Sequence, residues 1–432
     1  MRLNLLRAGQ AGATVAAALA LTTALTTGLP AAGQSPDPTG TERQQPQSQA
    51  SRHGGPVVWA HRGASKVTPE ETSAAYRRAL AEGADVLEGD IAQTKDGHLV
   101  VIHDDTLART TDVEEVFPDR APWNVRDFTL AEIKRLDAGS WFSPEHAGQR
   151  VPTMREWFAL NDRRAGLAPE IKNPDLYPGI VENVAAELRH WGYTRDLRAR
   201  NGAPLITVQS FSEPALRELD ALLPDVPLLA LASGYTYFLA GDAVLAELAT
   251  WADAVAAHPA LTTAPQVARA QSFGLEVVSE VDDSPVLIEM AAGQGYDVAF
   301  TNVPDVAGAV LSGHDPFRRA AVVVDKIVAD APGDDLQPET GEHVVLRSTT
   351  DRPVDLTGYV VRDHGNTVLP VADGAVIQPG SFYRVYVGPG TDRADATYAG
   401  RTSAVLGNSG TEHAYLYDPR GAIVSIAHVT AP

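Results

Sequence analysis

Residues 86–103, VLEGDIAQTKDGHLVVIH, place two apolar β-prone runs on either side of a short polar linker, TKDGH. A parallel crossover needs about a dozen residues or more, so this pair must turn back as an antiparallel hairpin or an irregular edge. Seven further apolar runs surround it: VVWA at 57–60, then LAPEI, PLITVQ, PLLALA, DAVAAH, LEVVSEV and DVAFTN between 167 and 302, with amphipathic stretches between them. Alternation of this kind predicts a parallel sheet covered by helices. Eight parallel strands plus one extra hairpin strand fit a TIM-type (β/α)8 barrel over residues 56–315, close to its usual span of about 250 residues. A doubly wound open sheet is the alternative.

The residues able to do chemistry sit at the ends of these runs. His61 and Arg62 follow VVWA, Glu88 and Asp90 lie in VLEGDI, His103 follows LVVI, and Glu170 and Lys172 close APEIK. Residues i and i+2 of a strand share a face, so Glu88 points with Asp90 and Glu170 with Lys172. Three carboxylates facing a barrel interior are costly without compensation, which makes a bound cation the economical reading. All-oxygen ligands suit hard ions, Ca²⁺ first and Mg²⁺ second. An arginine fork and a lysine beside them can neutralise phosphoryl oxygens, and two imidazoles supply one general base and one general acid. The pattern is that of a phosphate-handling site, with water or a vicinal hydroxyl of a glyceryl substrate as nucleophile. Singly, each residue has a plainer explanation: a strand histidine is usually structural, and the acidic pair could form a buried ion network with Arg62 and Lys172.

Composition narrows the partners. The chain has 432 residues, 35 basic against 55 acidic, for a formal net charge of −20, which argues against a nucleic-acid footprint. Residues 1–33 carry Arg2 and Arg7, then a weakly apolar run of small residues, and read as a cleaved signal peptide rather than a membrane anchor. There is no cysteine, hence no lipid attachment site and no disulfide. An extracellular, secreted protein is expected. Residues 34–55, rich in Gln, Ser, Pro and charge, form a disordered linker.

Thr68 and Glu71 have the spacing of a capping box with Pro69 at the first helical position, so Glu71 reads as a helix cap. Residues 105–150 form an insertion with a predicted helix in FTLAEIKRL and the aromatics Phe117, Trp123, Trp141 and Phe142, either a wall of the site or a small cap with its own core. From about residue 320 to 432 the helical periodicity disappears. Short strands punctuated by DGA, QPGS, GPGT and DPRG predict an all-β sandwich.

The run HRGASKVTPEETSAAYRRALAEGADVLEGDIAQTKDGHLVVIHDDTLARTTDV, with PEIK, VQSF and DVAFTNVPD, resembles the glycerophosphodiester phosphodiesterase family over most of residues 56–306. That resemblance implies hydrolysis of glycerophosphodiesters to glycerol 3-phosphate and an alcohol on a TIM barrel, with Ca²⁺ or another divalent ion. By motif it makes His61 the proton acceptor and His103 the proton donor, gives phosphate to Arg62 and metal to Glu88, Asp90 and Glu170, and matches Lys172 to the lysine after the third ligand. The family often has Asn where Glu71 stands and Trp where Ser279 stands, which leaves the alcohol or glycerol pocket open in shape. Teichoic-acid glycerol phosphate or lysophospholipid as substrate, or an inactive binding barrel, are the competing readings. VVLRSTTDRPVDLTGYVVRDHGNTV and VLGNSGTEHAYLYDPRGAIV resemble a lamin-tail domain, implying an immunoglobulin-like sandwich and a role in attachment to cell wall, polymer or another protein, or a stabilising appendage.

Overall fold

The computed structural model describes residues 55–232, 237–238, 241–331, 333–407 and 411–430. The signal-peptide segment and nearly all of the linker lie outside them. Every one of the nine apolar runs contributes a strand to one sheet: β1 Val57–Ala60, β2 Val86–Gln93, β3 Leu99–Val101, β4 Gly166–Ile171, β5 Val208–Ser210, β6 Leu228–Ala230, β7 Ala254–Ala257, β8 Glu276–Ser279 and β9 Val298–Thr301. The order β1-β9-β8-β7-β6-β5-β4-β2, with β1 also pairing β2, closes eight parallel strands into a cylinder. An open sheet is thereby excluded.

β3 is the hairpin strand, with Leu99, Val100 and Val101 antiparallel to Gln93, Ala92 and Ile91. It fits because β1 reaches only Val86 and Leu87 of β2, leaving the far half of β2 without a parallel neighbour on that side.

Side-chain parity explains the filling of the barrel. Val57 and Trp59 of β1, Val86 of β2, Ala168 of β4, and Val298 and Phe300 of β9 pack together inside the cylinder. Their alternates, such as Leu87, Leu167, Val208 and Val277, join the layer beneath the helices. Two residues beyond Val86 and Ala168 on the same inward parity stand Glu88 and Glu170, so the apolar plug gives way to carboxylates toward the C-terminal ends of the strands.

The first helix, α1, spans Ser73–Ala81 and buries Ala75, Tyr76 and Ala79. The insertion contains only short turns of helix among its described residues. In FTLAEIKRL the helix is the single turn Leu130–Ile133, started by a capping box between Thr129 and Glu132. Phe117 packs edge-on against Phe128 at 5.3 Å and Trp123 packs on the barrel core, so these aromatics serve packing.

Ten strands follow: β10 Val322–Val328, β11 His343–Ser348, β12 Val354–Asp355, β13 Val360–Arg362, β14 Val368–Pro370, β15 Val376–Ile377, β16 Phe382–Tyr386, β17 Ala396–Tyr398, β18 Thr411–Tyr417 and β19 Ile423–Thr430. They form two four-stranded sheets, β10-β11-β16-β17 and β14-β13-β18-β19, plus the small β12-β15 pair. Val344, Leu346, Val361, Val385, Ala414 and Leu416 are among the residues that fill the space between them. On β18 the alternates Tyr415 and Tyr417 face the other way and pack with Ile426 on Val303 and Val306 of the barrel. Arg362 of β13 meanwhile lies 4.5 Å over the ring of Phe142, so the insertion also touches the sandwich.

Candidate active site and metal centre

Pairing of β2 with β4 sets Asp90 opposite Glu170, with Glu88 one turn of the pleat below. Oxygens of Glu88, Asp90 and Glu170 all lie within 4.8 Å of one another, and all three side chains are buried. The residue between two of them has to be glycine. A Cβ on Gly89 would stand 2.4 Å from Tyr76 Oη and 2.9 Å from Val101 Cγ1 on the outer face.

Lys172 Nζ reaches Glu170 at 3.2 Å and Asp90 at 3.7 Å, while Arg62 Nε stands 3.1 Å from the other oxygen of Asp90. Burial alone would raise the Asp90 carboxyl, but Arg62 and Lys172 outweigh it and hold the group below its ordinary range. The neighbours go the other way. Burial, then the charge of Asp90, pushes Glu170 up to about 8 and Glu88 well above the usual carboxylate range.

Glu71 joins this cluster, which corrects its reading as a cap. Helix α1 starts later, at Ser73, and is capped by Thr72, whose hydroxyl accepts from Ala75 N. The Thr68 hydroxyl donates to Ala64 O instead. The stretch between is wound by two left-handed residues, Arg62 at φ 56° and Glu71 at φ 57°, joined by a Glu71 N to Arg62 O hydrogen bond. Such conformations cost about 1 kcal/mol or more in a non-glycine residue and gather at functional sites. Here they turn Glu71 inward, where its Oε1 accepts from Asp90 N at 2.6 Å. Burial and the charge of Asp90 raise its carboxyl as well.

Four carboxyl groups therefore face two cations. Among the described residues, both oxygens of Asp90 and Glu71 Oε2 are buried with no hydrogen-bond donor, Arg62 and Lys172 meeting Asp90 as ion pairs alone. Buried oxygens normally find donors, and this acceptor-rich set with a deficit of positive charge fits a hard divalent cation.

The histidines have different partners. His61 Nδ1 lies 2.7 Å from Asn302 Oδ1, and the ring packs edge-on against Phe300 at 5.1 Å. Which amide atom faces the imidazole follows from the other side of Asn302, whose Nδ2 donates at 2.7 Å to Asp283, an acceptor-only carboxylate. Oδ1 must then face His61, so Nδ1 carries the proton and Nε2 is left with a lone pair. Burial, reinforced by Arg62, lowers His61 to about 3, which keeps the ring neutral near pH 7. His103 instead sets Nδ1 2.6 Å from Asp104 Oδ1, a carboxylate also held by Arg109. Both imidazoles stand close enough to Asp90 for a protonated ring to lower its carboxyl, which places them in one site.

All seven residues singled out by sequence thus gather at one end of the barrel. Sequence reading missed Glu70, which receives Arg62 at 3.2 Å and Arg109 at 2.8 Å, and Gln209, which donates to Glu88 Oε1 at 2.9 Å. It also missed Asn302. Gln209 and Asn302 are polar residues in or just after β5 and β9, the same signal that found His61. Ser279, at the position of the family tryptophan, is buried and accepts from Phe300 N at 2.8 Å.

A family model described as the Glycerophosphoryl diester phosphodiesterase family matches residues 61–306, and one described as the Lamin Tail Domain matches residues 316–431. The chain is 33% identical over 264 residues to a glycerophosphodiester phosphodiesterase of Bacillus subtilis, covering 59% of this chain and 86% of that one. It is 41% identical over 174 residues to a protein of the same description from Caldanaerobacter subterraneus, covering 40% of this chain and 65% of that one. Among solved structures, an Oleispira antarctica phosphodiesterase in complex with the product sn-glycerol-3-phosphate matches with a TM-score of 0.50 at 26% identity, over 60% of this chain and 97% of that one.

Proposed function

We propose a reaction for a chain that belongs to the glycerophosphoryl diester phosphodiesterase family: metal-dependent hydrolysis of glycerophosphodiesters to glycerol 3-phosphate and an alcohol. The chain is a glycerophosphodiester phosphodiesterase. The observation that carries the metal dependence is the convergence of Glu88, Asp90 and Glu170 beside two imidazoles and an arginine.

In this reading Glu88, Asp90 and Glu170 hold the ion, Ca²⁺ before Mg²⁺ because mixed carboxylates and waters suit its looser shell. A bound divalent cation supplies Lewis-acid neutralisation of the phosphoryl oxygens. Arg62 and Lys172 bind the same phosphate and orient it. His61, neutral and with Nε2 free, accepts the proton of the attacking hydroxyl, either water or the vicinal glyceryl hydroxyl. His103 donates to the departing alkoxide, and Asp104 beside it can balance the charge of the protonated ring, which the amide beside His61 cannot.

Export is proposed from residues 1–33, and attachment to a surface or polymer from the likeness to a lamin-tail domain together with exposed Val376 and Phe382 on its strands. Incubating the protein with glycerophosphocholine and Ca²⁺ or Mg²⁺ is expected to release glycerol 3-phosphate, and EDTA or His61→Ala to stop it. Release that survives both overturns the mechanism.

A further inference from the structure

Asp283, in the loop that follows β8, is a buried carboxylate whose oxygens are each taken by two donors. Oδ1 accepts from Thr301 Oγ1 and Asn302 N at 2.7 Å each. Oδ2 accepts from Asn302 Nδ2 at 2.7 Å and from the hydroxyl of Tyr415 at 2.6 Å. Three of these donors belong to the barrel; the fourth comes from β18 of the sandwich. Asn302 passes the constraint on, since its Oδ1 receives His61 Nδ1 at 2.7 Å and Ser65 Oγ at 2.8 Å.

The same strand grips the loop that carries His61. Tyr417 donates to Lys66 O at 2.6 Å, the Lys66 ammonium lies 4.7 Å over the ring of Tyr415, and it donates to His364 O at 2.5 Å. Lys66 and Asp283 are almost wholly buried beneath the sandwich, and burying charge is tolerated only where partners are supplied. Burial opposes ionisation of Asp283, yet Lys66, His413 and the hydroxyl donors keep it charged. A charged Asp283 is what fixes the amide of Asn302.

We propose that the sandwich is part of the catalytic apparatus: the Tyr415 hydroxyl, through Asp283 and Asn302, holds His61 in the orientation and tautomer needed for proton abstraction. Tyr415 is a positioning residue supplied by the second domain. Without its hydroxyl, Asp283 Oδ2 keeps only Asn302 Nδ2 as donor, so the carboxylate that orients the Asn302 amide is held less firmly and the amide sets His61 less sharply. The inference rests on His61 as proton acceptor.

The test uses the full chain with glycerophosphocholine and saturating Ca²⁺. Tyr415→Phe is expected to lower kcat on the order of tenfold, about one hydrogen bond's effect, with KM unchanged. Because the path runs through Asn302, the same change made in an Asn302→Ala background is expected to lower kcat no further. Ser284→Ala, which cuts the interface bond from Ser284 Oγ to His428 Nδ1 at 2.8 Å, is expected to leave kcat at the wild-type value. Wild-type kcat in Tyr415→Phe, an equal loss in both backgrounds, or an equal loss in Ser284→Ala overturns the proposal. If His61→Ala keeps full activity, the catalytic reading fails and this one with it; if His61→Ala is dead while Tyr415→Phe is unaffected, only the positioning role falls.

Discussion

Replacing Glu88 by Gln should stabilise the metal-free protein while destroying its ability to hold the ion. Glu88 is fully buried, and without metal its carboxyl sits well above the usual carboxylate range because of burial and the nearby charge of Asp90. In the unfolded chain the group ionises at its ordinary value. Folding at pH 7 must therefore hold back a proton that the unfolded chain has lost, at about 1.4 kcal/mol for each pH unit by which the folded group is raised. A neutral amide removes that penalty. Its hydrogen bonds can be remade, because Gln209 Oε1 is buried without a partner among the described residues and can turn to accept from a new amide, while the new carbonyl still receives Arg62 N, now 2.8 Å from Glu88 Oε2. The sign follows from the raised value: below pH 4 the carboxyl is protonated in both states and the variant gains nothing, and the gain grows as pH rises to 7. Urea titrations in EDTA at pH 4, 5.5 and 7 measure it. All six tryptophans precede residue 315, so their fluorescence reads the barrel separately from the sandwich. A variant less stable than wild type at pH 7, or a gain that does not change with pH, would refute the reasoning. With Ca²⁺ the ranking should reverse, since a ligand that binds only the folded state stabilises only the protein that binds it.

Ion binding at pH 7 should expel about one proton or more per ion, because Glu170 is pushed up to about 8 and Glu88 is also raised, while at pH 9.5 release should be smaller; calorimetry in buffers of different ionisation enthalpy counts the protons, and no release at pH 7 would contradict the charge assignment. Gly89→Ala should lower the barrel's thermal midpoint, by about 2 kcal/mol in stability, since the added Cβ falls 2.4 Å from Tyr76 Oη; an unchanged midpoint would mean the strand moves freely. Thr72→Ala should cost about 1 kcal/mol with kcat preserved, and Glu71→Gln should weaken ion binding with α1 intact by circular dichroism, because the cap is Thr72 and not Glu71.

The fold was legible because each barrel strand is a short apolar run and because TKDGH is too short for a crossover. The inward parity of Glu88, Asp90 and Glu170 was legible for the same reason. What escaped depended on backbone conformation or on distance along the chain. Thr68 and Glu71 have the spacing of a cap, and only the left-handed turn at Arg62 and Glu71 sends the carboxylate into the barrel instead. Nothing in local spacing ties Asp283 to Tyr415, 132 residues away, since neither lies in a periodic pattern with the other.

The grip of Tyr417 on Lys66 also orders events during synthesis. The loop carrying His61 leaves the ribosome 351 residues ahead of the tyrosine that fastens it. Until then a nascent barrel leaves Lys66 without its partners on the sandwich and Asp283 with only its three barrel donors, and a recombination event that exchanged the tail for an unrelated one would leave them so. A foreign tail would have to bring its own partners for Lys66 and Asp283, or be met by changes at those two positions.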